Sequence, residues 1–215
     1  MIKTDTTLTT FENWTLRFRP GTSQRILLLL HGWTGDENSM WIFTRNLPAE
    51  YWILAPRAPN VAQQGGYSWR APAPSDSWPT VELFRPSIEA LIEFLDHFAT
   101  ANSLDVSTID VAGFSQGAAL TLTLGALVPA RVRKMGILAG FAPEGTEQFL
   151  KPGRLSGKNI FLAHGKYDKM VPIEMARRTI QLLESAGAKV TYHESEVGHK
   201  LSAEGLKALE RYLAF

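Results

Sequence analysis

The chain has no cysteine. A disulfide framework, a cysteine nucleophile and thiolate metal ligands are excluded at once. It has no long hydrophobic run: stretches such as Ile26 to Leu30 are far too short to span a bilayer. It has no excess of either charge, with 22 basic and 21 acidic residues and a net charge of +1. That balance excludes the electrostatic footprint expected for nucleic acid or an anionic membrane. No repeat, low-complexity tract or linker is visible. Met1 to Thr10 is polar and lacks the basic start and apolar core of a secretory signal. These absences predict a cytoplasmic protein with no stable membrane insertion. Histidine is scarce, five in 215 residues, so each one can be weighed in turn.

What is present is ordinary globular material, 45% hydrophobic and 20% charged. The length suits one domain over residues 1–215. Strand-like runs lie near Trp14–Arg19, Arg25–His31, Tyr51–Pro56, Val106–Gly113, Lys134–Ala139, Lys158–His164 and Lys189–Glu194. Helical periodicity lies near Glu37–Asn46, Thr80–Ala101, Ser115–Val128, Ile173–Ala186 and Ser202–Tyr212. Ile26 to Leu30 does not alternate apolar and polar residues. Continuous apolar strands are buried on both faces, as in a parallel sheet covered by helices. The alternation of strand and helix points to the same α/β class. Arg57–Pro79 breaks the rhythm with Pro59, Pro72, Pro74, Pro79 and Gly65-Gly66. Its rings Tyr67, Trp69 and Trp78 need an apolar surface, so the segment reads as an ordered loop near the site.

Gly113-Phe114-Ser115-Gln116-Gly117 spells G-x-S-x-G between a predicted strand and a predicted helix. A serine at such a turn projects its hydroxyl above the C-terminal edge of a parallel sheet. The pattern alone arises by chance in roughly one such chain in ten, so its context decides. A serine hydroxyl needs a base, and the base needs an orienting acid. In open α/β sheets these groups sit in loops at the C-terminal strand ends. His97 lies in a helix, His193 in a strand, and His164 walls the turn before Gly165. His199 follows Gly198 in the loop after the last strand and is the expected base. The acid falls between serine and histidine in this fold class. Asp168 fits, in the loop His164 to Pro172, ahead of Glu144, Glu147 and Glu174. Two backbone N–H groups are expected to receive the oxyanion. One is Gln116, just after the serine. The other is Trp33, in His31-Gly32-Trp33, with the His31 ring supporting that loop. Trp33, Trp69, Trp78, Phe114 and Phe141 are candidate walls for an apolar acyl group. No cluster has metal-ligand spacing, and this chemistry needs neither metal nor cofactor.

Taken together, His31-Gly32-Trp33, Gly113 to Gly117, His164-Gly165-x-x-Asp168 and Gly198-His199 resemble the phospholipase/carboxylesterase branch of the α/β-hydrolase superfamily. That branch includes acyl-protein thioesterase-like enzymes. The likeness covers about residues 20 to 213. It implies an α/β-hydrolase fold without a large lid domain, with a mostly parallel sheet and helices on both faces. It implies Ser115, Asp168 and His199 as the triad, with Trp33 and Gln116 N–H groups as oxyanion donors. The expected function is a serine carboxylesterase acting on short to medium acyl esters, with a small-molecule ester as substrate. Thioesterase or lysophospholipase action is the alternative, and the leaving group is not encoded in these motifs. A non-catalytic binding protein on the same scaffold is the remote alternative. Any self-association is most simply a homodimer. Trp33 replaces the smaller aliphatic residue common after His-Gly in these enzymes.

Overall fold

The structure is a computed structural model that describes residues 6–72 and 78–214. Its elements run β1 Thr7–Phe11, β2 Trp14–Arg19, β3 Ile26–Leu30, β4 Trp52–Pro56, β5 Asn60–Val61, β6 Tyr67–Ser68, α1 Val81–Asn102, β7 Ile109–Phe114, α2 Gln116–Leu127, β8 Val132–Leu138, β9 Asn159–Gly165, α3 Ile173–Ser185, β10 Lys189–Ser195 and α4 Ala203–Ala214. Eight strands form one sheet in the order β1-β2-β4-β3-β7-β8-β9-β10, and β5 and β6 pair by themselves. The six strands from β4 to β10 in that order are parallel, and β2 runs antiparallel to both of its neighbours, β4 and β1. This is the mostly parallel α/β-hydrolase arrangement.

β3 shows why the sheet is covered on both faces. Ile26, Leu28 and Leu30 join the apolar cluster shared with α1, α2 and α3. Leu27 and Leu29 join the opposite cluster, shared with α4 and with Met40, Phe43 and Leu47. Burying each such leucine stabilises the fold by about 1.5–3 kcal/mol. α1 buries the predicted row Val81, Phe84, Ile88, Leu91, Leu95 and Phe98. α2 is buried along its length from Gln116 to Ala126 because it runs inside the larger cluster, so its sequence is apolar all round.

Several boundaries differ from expectation. The helix expected at Glu37–Asn46 is absent, and only Trp41–Phe43 makes a short 3-10 turn. Asp36 Oδ1 accepts the N–H groups of Asn38 at 2.9 Å and Ser39 at 3.1 Å, which bends the backbone into a side-chain-closed turn. The strand expected from Val106 starts at Ile109, because Asp105 takes the Ser107 N–H at 2.7 Å. β1, β5 and β6 carried too little apolar pattern to be anticipated. Residues 73–77 of the expected loop, Pro74 among them, and residues 1–5 of the polar start lie outside the described residues.

At the starts of the parallel strands, away from the serine, Asp110 is buried and receives Tyr51 Oη–H, with Arg25 and Arg133 beside it. Burial and the Asp110 charge push the Tyr51 phenol well above its usual range. Tyr51 and Arg25 also reach the Leu213 carbonyl, which fastens the end of α4 to the sheet.

Candidate active site

β7 runs through the middle of the sheet and ends at Phe114, and α2 starts at Gln116. Ser115 makes the turn with φ 54° and ψ −114°, a conformation L-residues avoid. It is held there by its N–H to the Leu138 carbonyl at 2.8 Å, and by its own carbonyl, which accepts from Ala118 and Ala119. The two motif glycines are required by contact. A Cβ on Gly113 would lie 2.1 Å from the Gly117 carbonyl oxygen, and one on Gly117 would lie 2.1 Å from that of Leu30.

His199 Nε2 is 2.9 Å from Ser115 Oγ, and His199 Nδ1 is 2.6 Å from Asp168 Oδ2. The three residues lie 53 and 31 positions apart in the chain, yet share one hydrogen-bonded line. Asp168 is buried, and its other oxygen accepts the N–H groups of Met170 and Val171, both at 2.9 Å. With its acceptors filled in this way the carboxylate has a fixed direction, and it fixes the imidazole in turn. Glu144, Glu147 and Glu174 instead line a cavity of about 350 Å³ beside Trp78 and Pro172.

His164 was expected only as a wall. It is fully buried at the end of β9, with Nε2 2.8 Å from the Val171 carbonyl and 3.5 Å from Asp168 Oδ2. A carbonyl can only accept, so Nε2 carries the proton. Nδ1 is buried with no partner among the described residues. The ring therefore braces both the acid and the loop that holds it. Nothing but its place before Gly165 signalled this in the sequence. His97 pairs with Glu12 on the surface, and His193 lies within β10, as expected.

The loop after β3 is held by the Arg57–Pro79 segment. Tyr67 donates its N–H to the Gly35 carbonyl at 3.1 Å and accepts the Thr34 N–H at 3.0 Å. Arg57 grips buried Glu37 through two nitrogens at 2.8 and 2.9 Å and stacks over Tyr67. That hydrogen-bonded guanidinium lowers the Glu37 carboxyl below its usual value of 4.5. His31 Nε2 accepts the Ala58 N–H at 3.0 Å, so Nδ1 carries the proton and donates to the Gly32 carbonyl at 2.7 Å. Burial lowers the His31 pKa below 6.5. The ring is a neutral brace, in line with the supporting role expected for it. In this frame the N–H groups of Thr34, Gly35 and Ser115 are used, while among the described residues those of Trp33 and Gln116 meet no backbone acceptor outside the regular helices and strands. Gln116 is the first residue of α2, where the initial N–H groups have no intrahelical partner.

The aromatic residues separate into three groups. Trp33 and Phe114 line a cavity of about 440 Å³, together with Ile42, Phe43 and Leu201, which the sequence did not single out. Trp69 corrects the expectation that it walls a substrate pocket. It is 0% exposed, with Nε1 donating to the His31 carbonyl at 2.9 Å and its N–H to Gln116 Oε1 at 2.8 Å. Its polar edge is spent holding the two loops, so no face is left for a ligand. Phe141 is buried against Trp78 with ring centroids 4.6 Å apart. Trp78 faces the glutamate-lined cavity, whose lining includes neither Ser115 nor His199.

Among the described residues no helix is long and apolar enough to cross a membrane. The phospholipase/carboxylesterase family model matches residues 19–215. Acyl-protein thioesterase 1 of Candida albicans is 26% identical over 208 residues, covering 87% of this chain and 90% of the relative. The carboxylesterase of Bacillus cereus superposes with a TM-score of 0.81 at 26% identity, over 92% of this chain and 93% of that one. A carboxylesterase from Mesorhizobium loti shares the fold with a TM-score of 0.82 at 21% identity, over 97% of this chain and 98% of that one. The chain belongs to the phospholipase/carboxylesterase family of α/β-hydrolases, and it is a hydrolase of ester bonds.

Proposed function

We propose that the protein is a serine carboxylesterase for esters of short to medium acyl chains, working in the cytoplasm as a single α/β-hydrolase domain. The observation that carries this reading is His199, set between Ser115 Oγ at 2.9 Å and Asp168 Oδ2 at 2.6 Å. His199 Nε2 takes the Ser115 proton as Oγ attacks the ester carbonyl. Asp168 orients the imidazole and stabilises its cation. The N–H groups of Trp33 and Gln116 receive the oxyanion, at the start of a helix whose dipole favours negative charge. Collapse of the adduct releases the alcohol, protonated by His199. Water, activated by the same imidazole, then frees the acid. Every catalytic group in these steps belongs to the protein.

The test is hydrolysis of p-nitrophenyl acetate by Ser115→Ala beside the wild type. Loss of turnover with an unchanged melting profile supports the assignment, and substantial remaining turnover removes it. Thioester hydrolysis is the second reading. The similarity to acyl-protein thioesterase 1 of Candida albicans, over 87% of this chain and 90% of that one, favours it. Rates on matched oxygen esters and thioesters with the same acyl group separate the two.

A further inference from the structure

The cavity beside Phe114 is built from apolar side chains that are left in water. Trp33 is 40% and Ile42 72% exposed there, with Phe43, Phe114 and Leu201 completing the walls. An open apolar cavity of about 440 Å³ has the size and lining of a ligand site. It also abuts the reacting groups. Gly32 lines it, and a Cβ on Gly32 would stand 3.4 Å from the Ser115 Cβ. The Phe114 ring packs against His199 with centroids 5.0 Å apart. Lys200 and Leu201, the next two residues after His199, also line it.

The charge of this cavity is one-sided. Lys200 is the single charged residue in its described lining, and no carboxylate is present. The cavity at Trp78 has the opposite character, with Glu144, Glu147 and Glu174 against one Arg178. Lys200 is exposed and makes no ion pair among the described residues.

We propose that the cavity lined by Trp33, Ile42, Phe43, Phe114, Leu201 and Lys200 is the leaving-group subsite, selecting an apolar alcohol or thiol that carries an anionic group. The proposal rests on the triad reading above and adds the substrate class. In that chemistry the bond from the carbonyl carbon to the leaving oxygen or sulfur breaks. The electron pair stays on the leaving atom, and the proton on His199 Nε2 moves to it. The leaving atom therefore has to sit on the imidazole side of Ser115. The apolar walls take its carbon skeleton, and the Lys200 ammonium at the rim meets its anion.

Three aryl acetates with one acyl group test this: phenols bearing carboxymethyl, carbamoylmethyl and aminoethyl groups. Each kcat/KM is normalised to the same ester's hydroxide hydrolysis. The wild type should favour the anionic over the cationic leaving group by about five- to tenfold at low salt, the scale of one exposed ion pair gained and one repulsion avoided. The preference should shrink as salt screens the pair. In Lys200→Met the ratio should fall to near one, and in Lys200→Glu it should invert. Ile42→Ser should weaken selection among aryl leaving groups and leave the deacylation rate unchanged, because all three esters form the same acyl-enzyme. A flat wild-type ratio, or one that Lys200→Met does not move, overturns the proposal. So does an Ile42→Ser variant that alters the deacylation rate and leaves the leaving-group dependence as in the wild type, since the cavity would then hold the acyl group. The two readings fail separately. Turnover surviving in Ser115→Ala removes the triad and this subsite with it. An inactive Ser115→Ala beside a flat charge ratio removes the subsite alone.

Discussion

Gln116 accepts the backbone N–H of buried Trp69 on its side-chain oxygen at 2.8 Å. One residue thus offers its backbone N–H beside Ser115 and uses its side chain to tie the Arg57–Pro79 segment to the start of α2. Gln116→Ala keeps the backbone donor but leaves the Trp69 N–H buried without an acceptor. We expect a stability loss of about 1–3 kcal/mol in urea unfolding and a lower kcat with little change in KM. Unaltered stability would show that the tie carries no energy.

His31 provides the pH dependence of the same frame. Its neutral form is built in, because Ala58 donates to Nε2 and Gly32 accepts from Nδ1. The folded-state pKa is lowered from 6.5, chiefly by burial. The unfolded chain therefore takes up a proton first as pH falls. The stability from this group is complete above 6.5 and is lost as pH drops from there through the folded value. Urea unfolding from pH 7.5 to 5 should show that slope, and it should be smaller in His31→Asn. Equal slopes would remove His31 as its source.

His164 should act through Asp168. His164→Leu removes the donor beside the carboxylate and the Val171 carbonyl. We expect kcat to fall on the order of tenfold, the scale of a misdirected acid, with KM nearly constant. His164→Gln, whose Nε2 restores a donor, should recover part of the loss. Steady-state kinetics of both variants decide it, and equal loss in both would make the ring a space-filler only.

The Asp110 cluster should matter for stability and not for chemistry. Asp110→Ala removes the carboxylate shared by Tyr51, Arg25 and Arg133, leaving Tyr51 and Arg25 only the Leu213 carbonyl and each other. The cost should be about 3 kcal/mol, at the low end for a broken buried pair, because the Arg25 and Arg133 side chains are 29% and 41% exposed. The kcat/KM of the folded enzyme should match the wild type. A change in kcat/KM without a loss of stability would contradict this division.

Ser115, Asp168 and His199 were legible because the chemistry requires a fixed set of residue types, in chain order, at strand ends. The parallel sheet was legible in Ile26 to Leu30, which no half-exposed strand could carry. The frame around the site was not. Glu37 reads as one residue of an amphipathic helix, and only Arg57, twenty positions away, makes its burial affordable. Trp69 reads as a pocket wall, because nothing local shows that its N–H and indole are claimed by Gln116 and His31. The Glu37–Asn46 helix failed for a local reason: Asp36 bonds to its own backbone and competes with the helix. Ile42 and Phe43 fall inside that expected helix, and their place beside Phe114 follows only from the turn that replaces it.

The central claim is that Ser115 Oγ is the nucleophile activated by His199. The most direct measurement is mass spectrometry of the protein quenched during turnover of a slowly deacylating ester, or after fluorophosphonate treatment, with peptide mapping. The account predicts one adduct, on the peptide containing Ser115, absent in Ser115→Ala and formed far more slowly in His199→Ala. An adduct on another residue, or undiminished labelling of Ser115→Ala, would contradict it.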